Sequence, residues 1–342
     1  MQGVVITGER TVSLQTFADP APGHGEAVIA ICAAGVCGTD LHRFRAAADP
    51  VAGPPVIAGH EPAGIVVAVG RGVPPQLARE GMRVMVHHYE GCTACADCRA
   101  GWTQMCSSGA MKLHGRDAHG AFAPFMKVPA YTLLPLDERL SFAAGAAIGC
   151  GTGTAWGALD RMGLNGRHTI VIFGQGPVGL SATMLAAAQG ARVIALDVQP
   201  ARLEAARAAG AWHALNAGDP GAMAQIRDLT AGQGAPMVLE TSGSQPAADA
   251  ALEIAGTWAT VCFVGVGARV DFDVYARLRK QLTVLTSWTM SSIGQKDCAD
   301  FVIEHGLDLD ALFTDRWPLA SAQQAFERFD RQTGGKAVFL PG

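Results

Sequence analysis

The sequence predicts a two-domain α/β protein, a mostly-β first part followed by a doubly wound parallel sheet. Three observations predict it. Up to about residue 150, short β-like runs are broken by Gly and Pro. From about Thr169, such runs alternate with Ala-rich segments of helical period. The 342 residues are enough for two ordinary domains, each with its own core.

The β-like runs of the first part are Ala27 to Cys32, Ile65 to Val69, Arg83 to His88 and Phe125 to Val128. In the second part, strands at Thr169 to Phe173 and Arg192 to Asp197 are each followed by a helical segment, Val178 to Gln189 and Ala201 to Ala209. The alternation continues through Met237 to Glu240, Pro246 to Ala255, Thr260 to Val264 and Thr283 to Ser287, which implies about six parallel strands with right-handed crossovers. The tail holds a helix near Ser321 to Arg331 and an end strand at Lys336 to Leu340. It is too short to bury a core alone, so it is expected to fold back onto the first domain. The expected domains are therefore 1–151 with 288–342, and 152–287.

Composition narrows the function classes. A net charge of -4, with no dense run of Lys or Arg, argues against nucleic-acid binding. No stretch of about 18 apolar residues spans a membrane. Met1 leads into Val4-Val5-Ile6 without a basic segment or a hydrophobic signal core, so the chain is read as cytoplasmic. In that compartment thiols stay reduced, and clustered Cys among the nine point to metal.

Gly174-Gln175-Gly176-Pro177-Val178-Gly179 follows an apolar strand and opens a helix. Gly174 permits the tight turn, Gly176 lets backbone approach a pyrophosphate, and Gly179 allows close helix-strand contact, with free N–H groups at the helix start. Asp197 ends the next strand, where a carboxylate accepts hydrogen bonds from ribose hydroxyls and repels a 2'-phosphate. NAD is therefore favoured over NADP, with Arg202 nearby able to tolerate some NADP. Val264-Gly265-Val266, at the end of a later strand, joins Pro177 and Val178 as candidate cofactor contacts.

Cys92, Cys95, Cys98 and Cys106 fall on one turn-rich segment, 92–106. Four thiolates so spaced can wrap one tetrahedral zinc and leave no corner for substrate, which points to a structural site; unligated thiols and an iron or iron-sulfur site are the alternatives. Three separated segments offer a different set: Gly35-Val36-Cys37-Gly38-Thr39-Asp40-Leu41-His42, Gly59-His60-Glu61 and Gly149-Cys150-Gly151. Cys37, His60 and Cys150 together supply two thiolates and an imidazole, leaving a fourth zinc position open for water or substrate oxygen.

With these motifs in this order, the chain resembles the zinc-containing medium-chain alcohol dehydrogenases over essentially its whole length. Gly59-His60-Glu61, with Gly64, Gly70 and Val73, is similar to the family signature, and residues 35–42 to its first ligand segment. The resemblance implies a GroES-like catalytic domain beside a Rossmann domain. It implies Cys37, His60 and Cys150 as catalytic zinc ligands, Glu61 behind or transiently on the metal, and Asp40 orienting His60. It also implies Thr39 as the hydroxyl at the substrate oxygen, and His42 as the far end of a proton relay through the cofactor ribose.

The implied cofactors are NAD and two zinc ions per chain, and the implied activity is hydride transfer between NAD(H) and a primary or secondary alcohol or its carbonyl. A polyol or sugar dehydrogenase is the alternative; many of those carry Glu where Cys150 stands. A noncatalytic zinc and nucleotide protein would have lost a ligand or the relay. The expected partner is a small-molecule substrate, and the expected assembly a homo-oligomer, a tetramer before a dimer. Alignment to the family places residues near Phe44, His88 and Trp288 at the substrate.

Departures are Met82 in Gly81-Met82-Arg83-Val84, where many relatives have Asp, and Gly335-Lys336-Ala337, where some carry a cofactor-phosphate arginine. Cys32, Cys262 and Cys298 fit no ligand pattern and are read as core or surface thiols; His114, His119, His213 and His305 are read as ordinary polar positions.

Overall fold

In the computed structural model, which describes residues 1–47 and 53–341, the chain divides into two compact units, Met1–Gly153 with Ser291–Gly342, and Thr154–Met290. The first is organised around Glu26–Gly35. This strand pairs antiparallel with Glu61–Val69, with Phe125–Pro129 and, at its end, with Lys336–Phe339. Strands on every side explain why its residues are almost all buried. The sheet runs Phe313–Trp317, Lys336–Phe339, Glu26–Gly35, Glu61–Val69, Arg83–Val86, Leu133–Pro135. Arg83–Val86 stops two residues short of the run read from sequence, so His87 and His88 lie beyond it.

The tail contributes Phe313–Trp317 and Lys336–Phe339 to this sheet and sets Val338 opposite Gly35. Between them, helix Ala322–Asp330 buries Ala322, Ala325, Phe326 and Phe329, one stripe at helical spacing. Phe326 meets the rings of Phe44, Phe122 and Phe339, with centroids 5.2, 6.1 and 6.4 Å away. Each such ring contributes roughly 1.5–3 kcal/mol by burial. Phe44 therefore belongs to this core, so any substrate contact near it falls to its neighbours.

The second unit carries six parallel strands: β1 (Thr169–Phe173), β2 (Arg192–Asp197), β3 (His213–Asn216), β4 (Ala235–Glu240), β5 (Ala255–Phe263) and β6 (Thr283–Thr286). Their order is β3-β2-β1-β4-β5-β6, the doubly wound arrangement whose ligand crevice lies at the carboxyl ends of the strands. β1 is buried throughout, as a central parallel strand must be. Helix Pro177–Ala188 leaves β1 with Pro at its first position, where the missing N–H costs nothing. Among the described residues no helix is long and apolar enough to cross a membrane.

Candidate active site and metal centres

Folding brings Cys37, His60, Glu61 and Cys150 together, with one ligand atom from each within 4.8 Å of the others. Cys37 precedes helix Gly38–Arg45, and its backbone N–H donates to the Asp40 carboxylate at 3.0 Å. His60 follows Gly59, held at φ +90, where a Cβ would meet the Phe122 ring at 2.5 Å. Only glycine fits that turn. Glu61 opens the strand opposite Gly35, and Cys150 sits just after helix Phe142–Ile148.

Asp40, 2% exposed, also lies 3.5 Å from Nδ1 of His60. One carboxylate thus ties two of the clustered residues and turns the other imidazole nitrogen, Nε2, away from itself. Burial pulls the His60 pKa down, but Asp40 and Cys37 more than offset it and hold it well above the usual histidine value. The Cys37 and Cys150 thiols are 3.8 Å apart, far beyond a disulfide bond. Zinc–sulfur bonds of about 2.3 Å set tetrahedral sulfurs about 3.8 Å apart, so this pair fits one ion. Their mutual hydrogen bond drives Cys37 well below the usual thiol pKa and Cys150 well above it.

Sequence reasoning missed Lys336. The residue is 1% exposed, and its ammonium forms an ion pair with the fully buried Glu61 and donates to the Val36 carbonyl at 3.3 Å. Burial lifts Glu61 to about 7 against the pull of this ammonium, while Glu61, Cys37 and Cys150 keep Lys336 above the ordinary lysine pKa although burial opposes them. The partner of Glu61 lies 275 positions along the chain, beyond any local motif.

Thr39 and His42 are exposed and stand one turn apart on helix Gly38–Arg45, whose other face buries Asp40, Leu41 and Phe44. The Thr39 hydroxyl lies 3.7 Å from the Cys37 sulfur. His88 is buried with its ring centroid 5.0 Å from that of His60. His114, read as an ordinary polar position, is buried and lies 3.1 Å from Glu90, whose pKa it lowers. Trp288, in the second unit, is 48% exposed.

The second cluster joins Cys92, Cys95, Cys98 and Cys106, again within 4.8 Å, with Cys92 and Cys98 sulfurs 3.9 Å apart. Backbone N–H groups of Cys95 and Cys92 donate to the sulfurs of Cys92 and Cys106 at 3.3 and 3.4 Å. The bond to Cys106 favours the thiolate that a metal needs. The Ser108 side chain and the Cys92 N–H lower Cys106 to about 5. Cys32, Cys262 and Cys298 join neither cluster, and burial raises all three thiols.

In the second unit, Gly174 has φ +85, and a Cβ at Gly179 would lie 1.8 Å from its carbonyl oxygen, so the turn and the close helix approach both require glycine. At Gly176 a Cβ would meet nothing within 4 Å, which leaves the helix start open to a phosphate. Asp197 accepts the backbone N–H groups of Gln175 at 2.7 Å and Gln199 at 2.9 Å, and Arg202 stands 3.7 Å away. Buried Gln175 braces the loop, donating to the Ile172 carbonyl and accepting from Thr183. Val264 donates to the Glu240 carbonyl, Gly265 packs against Gly243, and Val266 is 75% exposed.

Residues 23–138 match the alcohol dehydrogenase GroES-like domain and residues 177–305 the zinc-binding dehydrogenase domain. The chain is 33% identical over 348 residues to an uncharacterized zinc-type alcohol dehydrogenase-like protein, YphC, of Escherichia coli, covering 99% of this chain and 98% of that protein. It is 29% identical over 333 residues to the sorbitol dehydrogenase of Bacillus subtilis, covering 96% and 93%. Among solved structures, an NAD-dependent alcohol dehydrogenase matches with a TM-score of 0.89 and 26% identity over 100% of both chains. The alcohol dehydrogenase TADH of Thermus sp. ATN1 matches at 0.88 and 27% over 99% of each. With the GroES-like and parallel-sheet units, the sulfur clusters and these matches, the chain belongs to the zinc-containing medium-chain alcohol dehydrogenases.

Proposed function

We propose that the chain is an NAD-linked, zinc-dependent dehydrogenase acting on an alcohol or its carbonyl, with Cys37, His60 and Cys150 holding the catalytic zinc. The observation that carries this reading is the convergence of two thiols and one oriented imidazole, with the thiols at tetrahedral spacing. A zinc held there would supply a Lewis acid for a substrate oxygen, and a bound NAD would supply the hydride acceptor.

Asp40 fixes the His60 tautomer so that Nε2 serves the metal. Lys336 holds Glu61 beside the cluster. Thr39 and His42, adjacent on the exposed face of their helix, carry the proton lost from the substrate oxygen toward solvent. Gly174, Gly176, Pro177, Val178 and Gly179 cradle the pyrophosphate, Asp197 takes the ribose hydroxyls, and Val264, Gly265 and Val266 approach the cofactor further along. The carboxylate at Asp197 favours NAD, and Arg202 beside it leaves room for some NADP.

The experiment that tests the reading follows NADH formation by the zinc-loaded protein across primary alcohols, secondary alcohols and polyols, with NADP as control. No turnover on any of them would reject it. Substituting His42→Ala is expected to slow turnover several-fold and to shift its pH profile. An unchanged profile would remove His42 from the proton path.

Cys92, Cys95, Cys98 and Cys106 are read as a structural zinc site, which makes two zinc ions per chain. Replacing Cys95→Ser is expected to lower the melting temperature and remove one zinc per chain while kcat changes little. Equal loss of kcat and stability would instead place chemistry at that lobe. The chain is further read as a cytoplasmic homotetramer. Supporting association, β6 is an edge strand with Val284 exposed, and Val270, Phe272, Val274, Tyr275 and Leu278 are exposed in the same unit. Light scattering reads the mass directly, and a monomer would reject the assembly.

A further inference from the structure

Gln175 stands between Gly174 and Gly176, and a turn flanked by glycines resists movement little by itself. The helix that follows, Pro177–Ala188, is capped by Gly176 without a side-chain bond. Its first N–H groups are thereby left open to a phosphate, but the turn lacks the hold that a capping side chain gives. Gln175 supplies a different hold. The residue is 1% exposed, its Nε2 donates to the Ile172 carbonyl at 3.2 Å, and its Oε1 lies 2.8 Å from the Thr183 hydroxyl. A carbonyl can only accept, so the Ile172 oxygen decides which end of the amide faces it, and the Thr183 hydroxyl donates.

Thr183 is fully buried in the second turn of that helix, so it cannot itself touch a bound dinucleotide. A hydroxyl within a helix commonly bonds the carbonyl four residues back, as Ser181 does to Pro177 at 2.8 Å. Thr183 instead reaches back eight positions to the loop.

The backbone of Gln175 faces the ribose side of the site. Its N–H donates to Oδ2 of Asp197 at 2.7 Å, the Gln199 N–H donates to Oδ1 at 2.9 Å, and Arg202 stands 3.7 Å from the same Oδ2. One N–H thus holds the oxygen for which Arg202 competes. Gly174 is secured separately, its N–H on the Leu196 carbonyl and its own carbonyl 2.9 Å from the Thr241 hydroxyl. What falls to the Gln175 side chain is the aim of its own N–H at Asp197.

We infer that Gln175 and Thr183 form a buried brace that positions the Asp197 carboxylate for the ribose hydroxyls, so that the strength of the preference for NAD over NADP is set partly from inside the helix. This rests on the NAD-linked reading above. Both are positioning residues, and both act through the Gln175 N–H. Without the Thr183 hydroxyl, Oε1 of Gln175 is a buried acceptor with no donor, and the amide relieves this by shifting a peptide that its glycine neighbours do not restrain. Asp197 then turns toward Arg202, where it serves a 2'-hydroxyl less well and repels a 2'-phosphate less.

The experiment titrates NAD and NADP separately by calorimetry into the wild type, Thr183→Val and Thr183→Ser. Thr183→Val is expected to weaken NAD binding by about three- to tenfold, the worth of one hydrogen bond, and NADP binding by no more than about twofold. Thr183→Ser keeps the hydroxyl and is expected to retain the wild-type ratio of the two Kd values. Gln175→Ala should lower that ratio as Thr183→Val does, and adding Thr183→Val to it should change nothing more, since the amide is already gone. Should Thr183→Val fail to fold, Gln175→Ala makes the comparison by itself. A lower melting temperature with an unchanged ratio, equal weakening of both dinucleotides, or a Thr183→Ser as impaired as Thr183→Val would overturn the role of the brace. Binding of neither dinucleotide to the wild type would instead reject the NAD-linked reading.

Discussion

Replacing Lys336→Met is expected to destabilise the protein by about 3–5 kcal/mol, because it leaves the Glu61 carboxylate buried without its cation. Glu61 is fully buried, and in the wild type its pull toward the neutral form is resisted by the Lys336 ammonium. The strand Lys336–Phe339 would lose its anchor on Val36 as well as the ion pair. In a thermal melt the loss corresponds to a fall in Tm of roughly 10 °C. The double variant Lys336→Met with Glu61→Gln should recover most of it, since the uncompensated charge is then gone. A single variant as stable as the wild type would show that Glu61 is held by something other than Lys336.

Substituting Cys37→Ser or His60→Ala is expected to abolish turnover, a loss of several orders of magnitude, because each removes one of only three protein donors from the proposed catalytic zinc. NAD binding should survive, since Gly174, Gly176, Gly179 and Asp197 belong to the other unit. Titrating NAD by calorimetry alongside steady-state rates separates the two effects. Wild-type rates in Cys37→Ser would remove that thiol from the chemistry. Loss of NAD binding together with activity would point to misfolding rather than a missing ligand.

The glycine loop and the four-cysteine lobe are legible because their geometry is local. Each lies within one short segment, and glycine or cysteine at fixed spacing leaves few structures to choose from. Cys37, His60 and Cys150 lie far apart, and the family resemblance rather than spacing singles them out.

What sequence alone leaves hidden is set by contacts distant in the chain. Lys336 reads only as the start of a short end strand, and nothing near it announces a carboxylate at position 61. His88 reads as the end of a strand, and its Nδ1 meets a carbonyl at position 149. Phe44 illustrates the converse: its helix also carries Thr39 and His42, but helical spacing turns it inward to Phe326. β3 escapes detection because it is four residues long, polar at both ends and nowhere fully buried.

The central claim is that one ion is shared by Cys37, His60 and Cys150. Anomalous-difference maps at the zinc absorption edge, from crystals of the zinc-loaded protein, test it most directly. The account predicts two peaks per chain, one bonded to these three side chains and one inside Cys92, Cys95, Cys98 and Cys106. A single peak at the four-cysteine lobe, with zinc retained nowhere else, would contradict it.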